Sequence, residues 1–318
     1  MKISLVTPSG KQGRGGNRST ADRWARILRS LGHRVDVSSE DDGARADMMI
    51  AIHAWRSAAS IRAFAEAHPD RPLVVLLAGT DIYRFQKSHT EETRRSMALA
   101  TRLVGLHDLV DQSIPRRFHD KLQVIYQSFP PLSTPRTPSP RWFEVCVVGN
   151  LRDEKDPLRA AYASRLAPAD SRLRVVQLGR AGDDDWQRKI EGECKENSRF
   201  VWRGEVPGWA VRRQYARSHA MVVSSVMEGG ANVVSEAIVC GLPVIASGIE
   251  GNVGLLGEDY EGYYPVGDET ALARVLARAE TDPMFLRRLA AQGRAKLAQF
   301  APAREKSDWK KLLREMGV

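Results

Sequence analysis

Short apolar runs alternate with helical-period segments along almost the whole chain, and this alternation limits the fold more than any other feature. Successive parallel strands need a crossover between them. Repeated strand–helix–strand order therefore specifies parallel sheets with helices on their faces. Ile3–Val6, Val35–Val37, Met48–Ile52, Leu73–Leu77, Leu103–Leu106 and Val124–Tyr126 read as one series of strands. Between them a helix carries Trp24, Ile27, Leu28 and Leu31 on one face and closes at Gly32, and further helices are expected around Ser57–Ala67 and Glu92–Ala100.

The pattern breaks at Phe129–Pro140, where five prolines sit. Proline has no backbone N–H and cannot lie inside a helix or a central strand, so this stretch is the expected boundary. Strand runs resume with Glu144–Val148, Arg174–Leu178, Phe200–Trp202, Met221–Val223 and Val244–Ala246. The expectation is an α/β chain: a Rossmann-like domain over 1–128, a proline-rich linker over 129–140 and a second Rossmann-like domain over 141–300, with a cleft between the two. Trp309, Leu312, Leu313 and Met316 repeat at helical spacing and make 301–318 a last amphipathic helix.

Composition excludes some classes. No apolar run approaches a membrane span, and the apolar part of the first residues is too short for a signal peptide. Three scattered cysteines, Cys146, Cys194 and Cys240, make neither a metal spacing nor an even disulfide set, which suits the cytoplasm. The formal net charge is +9. Basic residues recur in loops that follow strands and are not interleaved with aromatics in one run, so an anionic small molecule is expected rather than nucleic acid.

In open parallel sheets, ligands bind beyond the carboxyl ends of the strands. The loop after the first strand holds Lys11, Arg14, Gly16, Asn17 and Arg18 at a helix start. It fails the dinucleotide fingerprint, because Arg18 stands at the third glycine position, and it lacks a P-loop ending. Its glycines and cations still suit an anion, the alternative being a plain surface loop. His53 with Arg56, Thr80 and Asp81 with Arg84, and Gln127 also follow strands of the first half. Capping of the next helix is the alternative for Asp81. In the second half, Gly149 opens a loop in which Arg152 and Lys155 lie three apart and can converge on one diphosphate. The turn at Gly204 and Glu205 can hold a nucleobase edge or be an ordinary connection. Asp183–Asp185 reads as a helix start rather than a metal site. There is no other cluster with metal-ligand spacing and no Gly-x-Ser-x-Gly elbow, so no metal and no bound cofactor is expected.

Glu228-Gly229-Gly230-Ala231-Asn232-Val233-Val234-Ser235-Glu236 carries the sharpest signal. It follows a buried-strand run, turns at two glycines and enters a helix over Asn232–Cys240 that Gly241 and Pro243 stop. One carboxylate sits at the loop and the other two turns along a helix whose first amides are free for an anion. Such a segment suits a sugar nucleotide.

With these residues assembled, the chain resembles the GT-B glycosyltransferases of group 4, which carry paired glutamates like Glu228 and Glu236 and a loop like that of Arg152 and Lys155. The resemblance implies Glu236 on the ribose hydroxyls, Glu228 near the sugar, Arg152 and Lys155 on the diphosphate, the amides of Gly229–Val233 on sugar and phosphate, and a final helix that packs back on the first domain. It departs from the family's aromatic residue after the first glutamate: Gly229 stands there, and this smaller loop is expected to leave space beside the sugar. Gly16–Ala21, Arg23-Trp24, Leu31–His33, His53 with Arg56, Gly79–Asp81 with Tyr83-Arg84, Ile125–Ser128 and Glu228–Asn232 are similar to the selenosugar synthases of selenoneine biosynthesis.

What that closer resemblance implies is coupling of selenophosphate to the sugar of UDP-GlcNAc or UDP-glucose. Catalytic work falls to Glu228, Arg152, Lys155 and His53, and the cations of the first half hold the acceptor. Selenophosphate is already an anion and needs no strong base, so His53 and Asp81 are expected to orient rather than to remove a proton. The other reading is a group 4 transferase with a hydroxyl acceptor from a lipid or saccharide precursor.

Overall fold

The structure is a computed structural model and describes residues 1–8, 10, 15–41, 43 and 45–318. Its strands are β1 (Lys2–Val6), β2 (Arg34–Ser38), β3 (Met48–Ile52), β4 (Leu73–Leu76), β5 (Arg102–Gly105), β6 (Leu122–Val124), β7 (Phe143–Val148), β8 (Leu173–Leu178), β9 (Phe200–Trp202), β10 (Ala220–Val223), β11 (Val244–Ser247) and β12 (Tyr263–Tyr264). They form two six-stranded sheets with orders β2-β1-β3-β4-β5-β6 and β12-β11-β10-β7-β8-β9, parallel throughout. The edge strand β12 has no sequence counterpart among the expected runs, because two residues are too few to show a period.

The chain divides into two compact units. The first comprises Met1–Ser128, Glu228–Asn232 and Pro302–Val318; the second comprises Phe129–Met227 and Val233–Ala301.

In the first unit β3 is buried at every position, and its side chains alternate between two cores. Met48, Ile50 and Ile52 face a cluster with Trp24 and Leu28 of the helix Gly16–Ser30 and Trp309, Leu312 and Leu313 of the helix Pro302–Glu315. Met49 and Ala51 face the other cluster, with Ile61 and Phe64 of the helix Ala58–Ala67 and Met97 of the helix Thr90–Leu99. Burial on both faces is why these strands are continuously apolar. The rings of Trp24 and Trp309 meet edge to face, 4.7 Å between centroids at 74°.

In the second unit the proline-rich stretch has no regular element, yet it is tied down. Thr137 and Ser139 donate their N–H groups to the carbonyls of Ala216 and Arg217, each at 2.9 Å. The Arg136 guanidinium covers the carbonyls of Gly241 and Ser218, and Arg212 covers that of Pro131. Where prolines offer no donor, arginine side chains satisfy carbonyls instead.

Each sheet has a point where its strand order reverses, β1/β3 in the first and β7/β10 in the second. The loops beyond the carboxyl ends there are where a parallel sheet presents ligand-binding groups.

Candidate active site

Beyond β3, His53 adopts a left-handed backbone (φ 80°), which costs a non-glycine residue of the order of 1–2 kcal/mol. The ring is buried. Its Nδ1 accepts the Arg56 N–H at 3.1 Å, so the ring hydrogen belongs on Nε2, 2.9 Å from the Thr80 hydroxyl. Burial lowers the His53 pKa below the usual histidine value, opposed by Asp81, so the ring is neutral at pH 7. Both nitrogens are thereby occupied.

Asp81 begins a π-helical turn, Asp81–Phe85. Its carboxylate is buried and accepts four backbone N–H groups, those of Ala54, Ala78, Gly79 and Ile82, at 2.8–3.1 Å. This carboxylate ties the loop after β3 to the loop after β4. Gln127 is likewise bonded within this unit. It is buried, its Oε1 accepts from Thr20 (3.1 Å) and Arg23 (2.7 Å), and its Nε2 donates to the Gly230 carbonyl (2.9 Å).

Two exposed cations of this unit, Arg56 and Arg84, share one aromatic ring. The guanidinium groups of Arg56 and Arg84 each lie 5.7 Å from the centre of the Phe85 ring, which stacks on Trp55 at 3.9 Å. Gly16, Asn17 and Arg18 open the first helix, whose first internal bond runs from Ser19 N–H to the Gly15 carbonyl, so their amides precede the helical ladder. The Arg18 guanidinium is paired with Asp22 at 3.0 Å. Lys11 and Arg14 lie outside the described residues.

In the second unit, the loop after β7 carries Gly149, an extended and exposed Arg152, and a 3-10 turn, Asp153–Lys155. The Arg152 guanidinium is 4.0 Å from Glu154. The Lys155 stem lies over Gly149, where an added Cβ would be 3.9 Å from Lys155 Cδ. Ser224, just beyond β10, donates to the carbonyls of Lys155 and Asp156, and Val226 N–H donates to that of Glu154 (2.9 Å). The loops at the β7/β10 reversal are thus bonded to each other, and Lys155, Gly149, Ser224, Ser225 and Val233 line a small cavity between them. Glu205 is exposed, and the Gly204 carbonyl accepts the Gly179 N–H at 2.8 Å.

Glu236 is half-buried and accepts the Tyr215 hydroxyl at 2.9 Å. Burial, then the Glu236 charge, pushes the Tyr215 pKa well up, so this phenol stays protonated and aims one Glu236 oxygen. Sequence reasoning missed Tyr215. Its only signal was an aromatic in an amphipathic helix, which reads as core.

Glu228–Asn232 packs with the first unit although it leads into the helix Asn232–Val239. Gly79 is in the left-handed region (φ 110°), and Gly229 lies against its backbone so closely that a Cβ on either would overlap the other's loop. The space expected beside the smaller Gly229 loop is therefore occupied by the backbone of Ala78 and Gly79. Two buried charged groups to which the sequence alone assigned no role hold this turn. Arg23 donates to the Asn232 Oδ1 (3.2 Å), and Glu305 anchors Arg23 (3.0 Å). Ala231 is buried and Val233 half-buried. Among the described residues no group of three or more His, Cys, Asp or Glu could hold a metal ion.

Residues 139–296 match the family model described as "Glycosyl transferases group 1". The match falls largely on the second compact unit. Nearly the whole chain superposes on solved GT-B structures. One is Alr3699/HepE of Anabaena in complex with UDP, at 17% identity, covering 99% of this chain and 100% of that one with a TM-score of 0.78. The same protein in complex with UDP-glucose gives 19% identity, the same coverage and a TM-score of 0.77. Sucrose-phosphate synthase of Thermosynechococcus elongatus gives 17% identity, 99% coverage of both chains and a TM-score of 0.81. Identity this low speaks for the fold, and that fold is GT-B. No curated protein matches the sequence. No helix among the described residues is long and apolar enough to cross a membrane.

Proposed function

We propose that this GT-B glycosyltransferase transfers the sugar of a UDP-sugar, UDP-GlcNAc or UDP-glucose, to selenophosphate. The observation that carries the acceptor class is the state of His53. The ring is neutral, its Nδ1 is filled by a backbone N–H, and its Nε2–H points at Thr80. A hydroxyl acceptor has to lose a proton as it attacks, whereas an acceptor that arrives ionised does not. The selenium lone pair forms the bond to the anomeric carbon. The bond from that carbon to the UDP oxygen breaks, and its electron pair leaves with UDP.

Arg152 and Lys155 take the diphosphate and stabilise the charge that develops on the leaving oxygen. Glu236, aimed by Tyr215, takes the ribose hydroxyls, and the turn at Gly204 and Glu205 takes the base edge. Glu228 and the amides of Gly229–Val233 take the sugar. Gly16, Asn17, Arg18, Arg56, Arg84 and the Thr80 hydroxyl hold the anionic acceptor, the two arginines being set on one aromatic ring. Selenium rests on the resemblance of the first-half motifs; the UDP complexes of Alr3699/HepE support the donor.

The test is anaerobic incubation with each UDP-sugar and selenophosphate, followed by mass analysis. A sugar carrying selenium, with one UDP released per product, is expected. UDP release without selenium incorporation would transfer the reading to a hydroxyl acceptor.

A further inference from the structure

We propose that Arg23 is a positioning residue for donor-sugar recognition, held on the first helix by the C-terminal helix and acting through the Gly230–Asn232 turn. The proposal rests on the reading that Glu228–Asn232 takes the donor sugar. Arg23 is buried, and each nitrogen of its guanidinium has a named partner. Nε donates to both oxygens of Glu305 at 3.0 Å, one terminal nitrogen to Asn232 Oδ1 at 3.2 Å, and the other to Gln127 Oε1 at 2.7 Å. Gln127 in turn donates to the Gly230 carbonyl at 2.9 Å. One cation thus reaches the turn by two routes, to its side-chain end at Asn232 and to its backbone at Gly230.

Glu305 is fully buried and accepts, besides Arg23, the Trp24 indole N–H and the N–H and hydroxyl of Ser128. Taking two charges out of water costs several kcal/mol per ion before their attraction is counted, and well-packed apolar residues commonly serve stability as well. The forked geometry supplies what an apolar pair cannot: a fixed direction for the Asn232 amide. With Oδ1 held by Arg23, the nitrogen of that amide lies toward Gly16, where an added Cβ would be 3.6 Å away. Lysine, a single point charge, keeps the pairing with Glu305 but cannot bridge Asn232 and Gln127 together.

The experiment compares binding of UDP with binding of UDP-glucose and UDP-GlcNAc by calorimetry, in wild type, Arg23→Lys and Gln127→Met, beside thermal melts. UDP affinity is expected to stay within about twofold, while UDP-sugar affinity falls about tenfold in both variants, the size of effect that one or two hydrogen bonds carry. A purely structural Arg23 lowers the melting temperature and leaves the ratio of the two affinities unchanged, which would overturn the proposal. Equal losses for UDP and UDP-sugar overturn it as well. Wild-type protein that binds UDP-sugar but leaves selenophosphate untouched removes only the acceptor reading. Wild-type protein that binds neither UDP nor UDP-sugar removes both.

Discussion

Gly79 and Gly229 meet backbone to backbone: a Cβ on Gly229 would overlap Ala78 and Gly79, and one on Gly79 would overlap Gly229. The glycine at the position where group 4 relatives carry an aromatic residue is thus required by the neighbouring loop. Gly229→Phe is expected to remove activity and lower the melting temperature, and Gly229→Ala to do so to a lesser degree. Thermal melts and turnover check this, and a Gly229→Phe protein with wild-type stability and turnover would show that the two loops part freely.

His53→Gln should keep turnover within about tenfold of wild type, since the neutral ring is placed to orient Thr80 and not to take a proton. The pH–rate profile of the wild type should lack an ascending limb that disappears in the variant. Loss as complete as in Glu228→Ala would make His53 a base after all.

Stability should fall in acid for a stated reason. His107 is fully buried, its Nδ1 takes the Leu109 N–H at 3.2 Å, and burial lowers its pKa to about 4. The unfolded chain takes up that proton near pH 6.5 and the folded chain only near 4. Between these values the unfolded state binds more protons, and stability rises with pH. His107 alone accounts for roughly 2 kcal/mol lost between pH 7 and pH 5, and His53 adds loss of the same sign. Urea unfolding at the two pH values measures it, with His107→Gln expected to flatten the dependence.

Lys155→Ala should lower turnover about 100-fold or more with the melt nearly unchanged, because the side chain is half-buried over Gly149 and its proposed charge partner is the leaving diphosphate. Unchanged turnover would sink the donor-site assignment.

Trp309→Ala should destabilise by about 3–5 kcal/mol, the usual cost of deleting a buried tryptophan. The ring is fully buried against Trp24, on the helix that also carries Glu305. Denaturant unfolding measures the loss, and a cost near zero would mean that the helix is dispensable to the first unit's core.

Strand and loop positions were legible because each is a local pattern. Met48–Ile52 is apolar at every position because both faces are covered, and His53, Gly149 and the glutamate segment stand after strands, where parallel sheets present ligand groups. What a side chain in those loops does was less legible. Asp81 and Arg56 both follow strands, yet one carboxylate is filled by four backbone donors and the other group is exposed on an aromatic ring.

Read alone, the order of residues determined the alternation of strand and helix, the break at the prolines and the chemical character of the loops, since periodicity and the missing proline N–H act over a few residues. Only the tertiary structure decided that Glu228 and Glu236 belong to different compact units, that Tyr215 aims Glu236, and that Gly229 is filled against Gly79. Arg23 and Glu305 stand 282 residues apart in the chain and 3.0 Å apart in space. No local period encodes such a pair, because it exists only once both helices have packed on the same sheet.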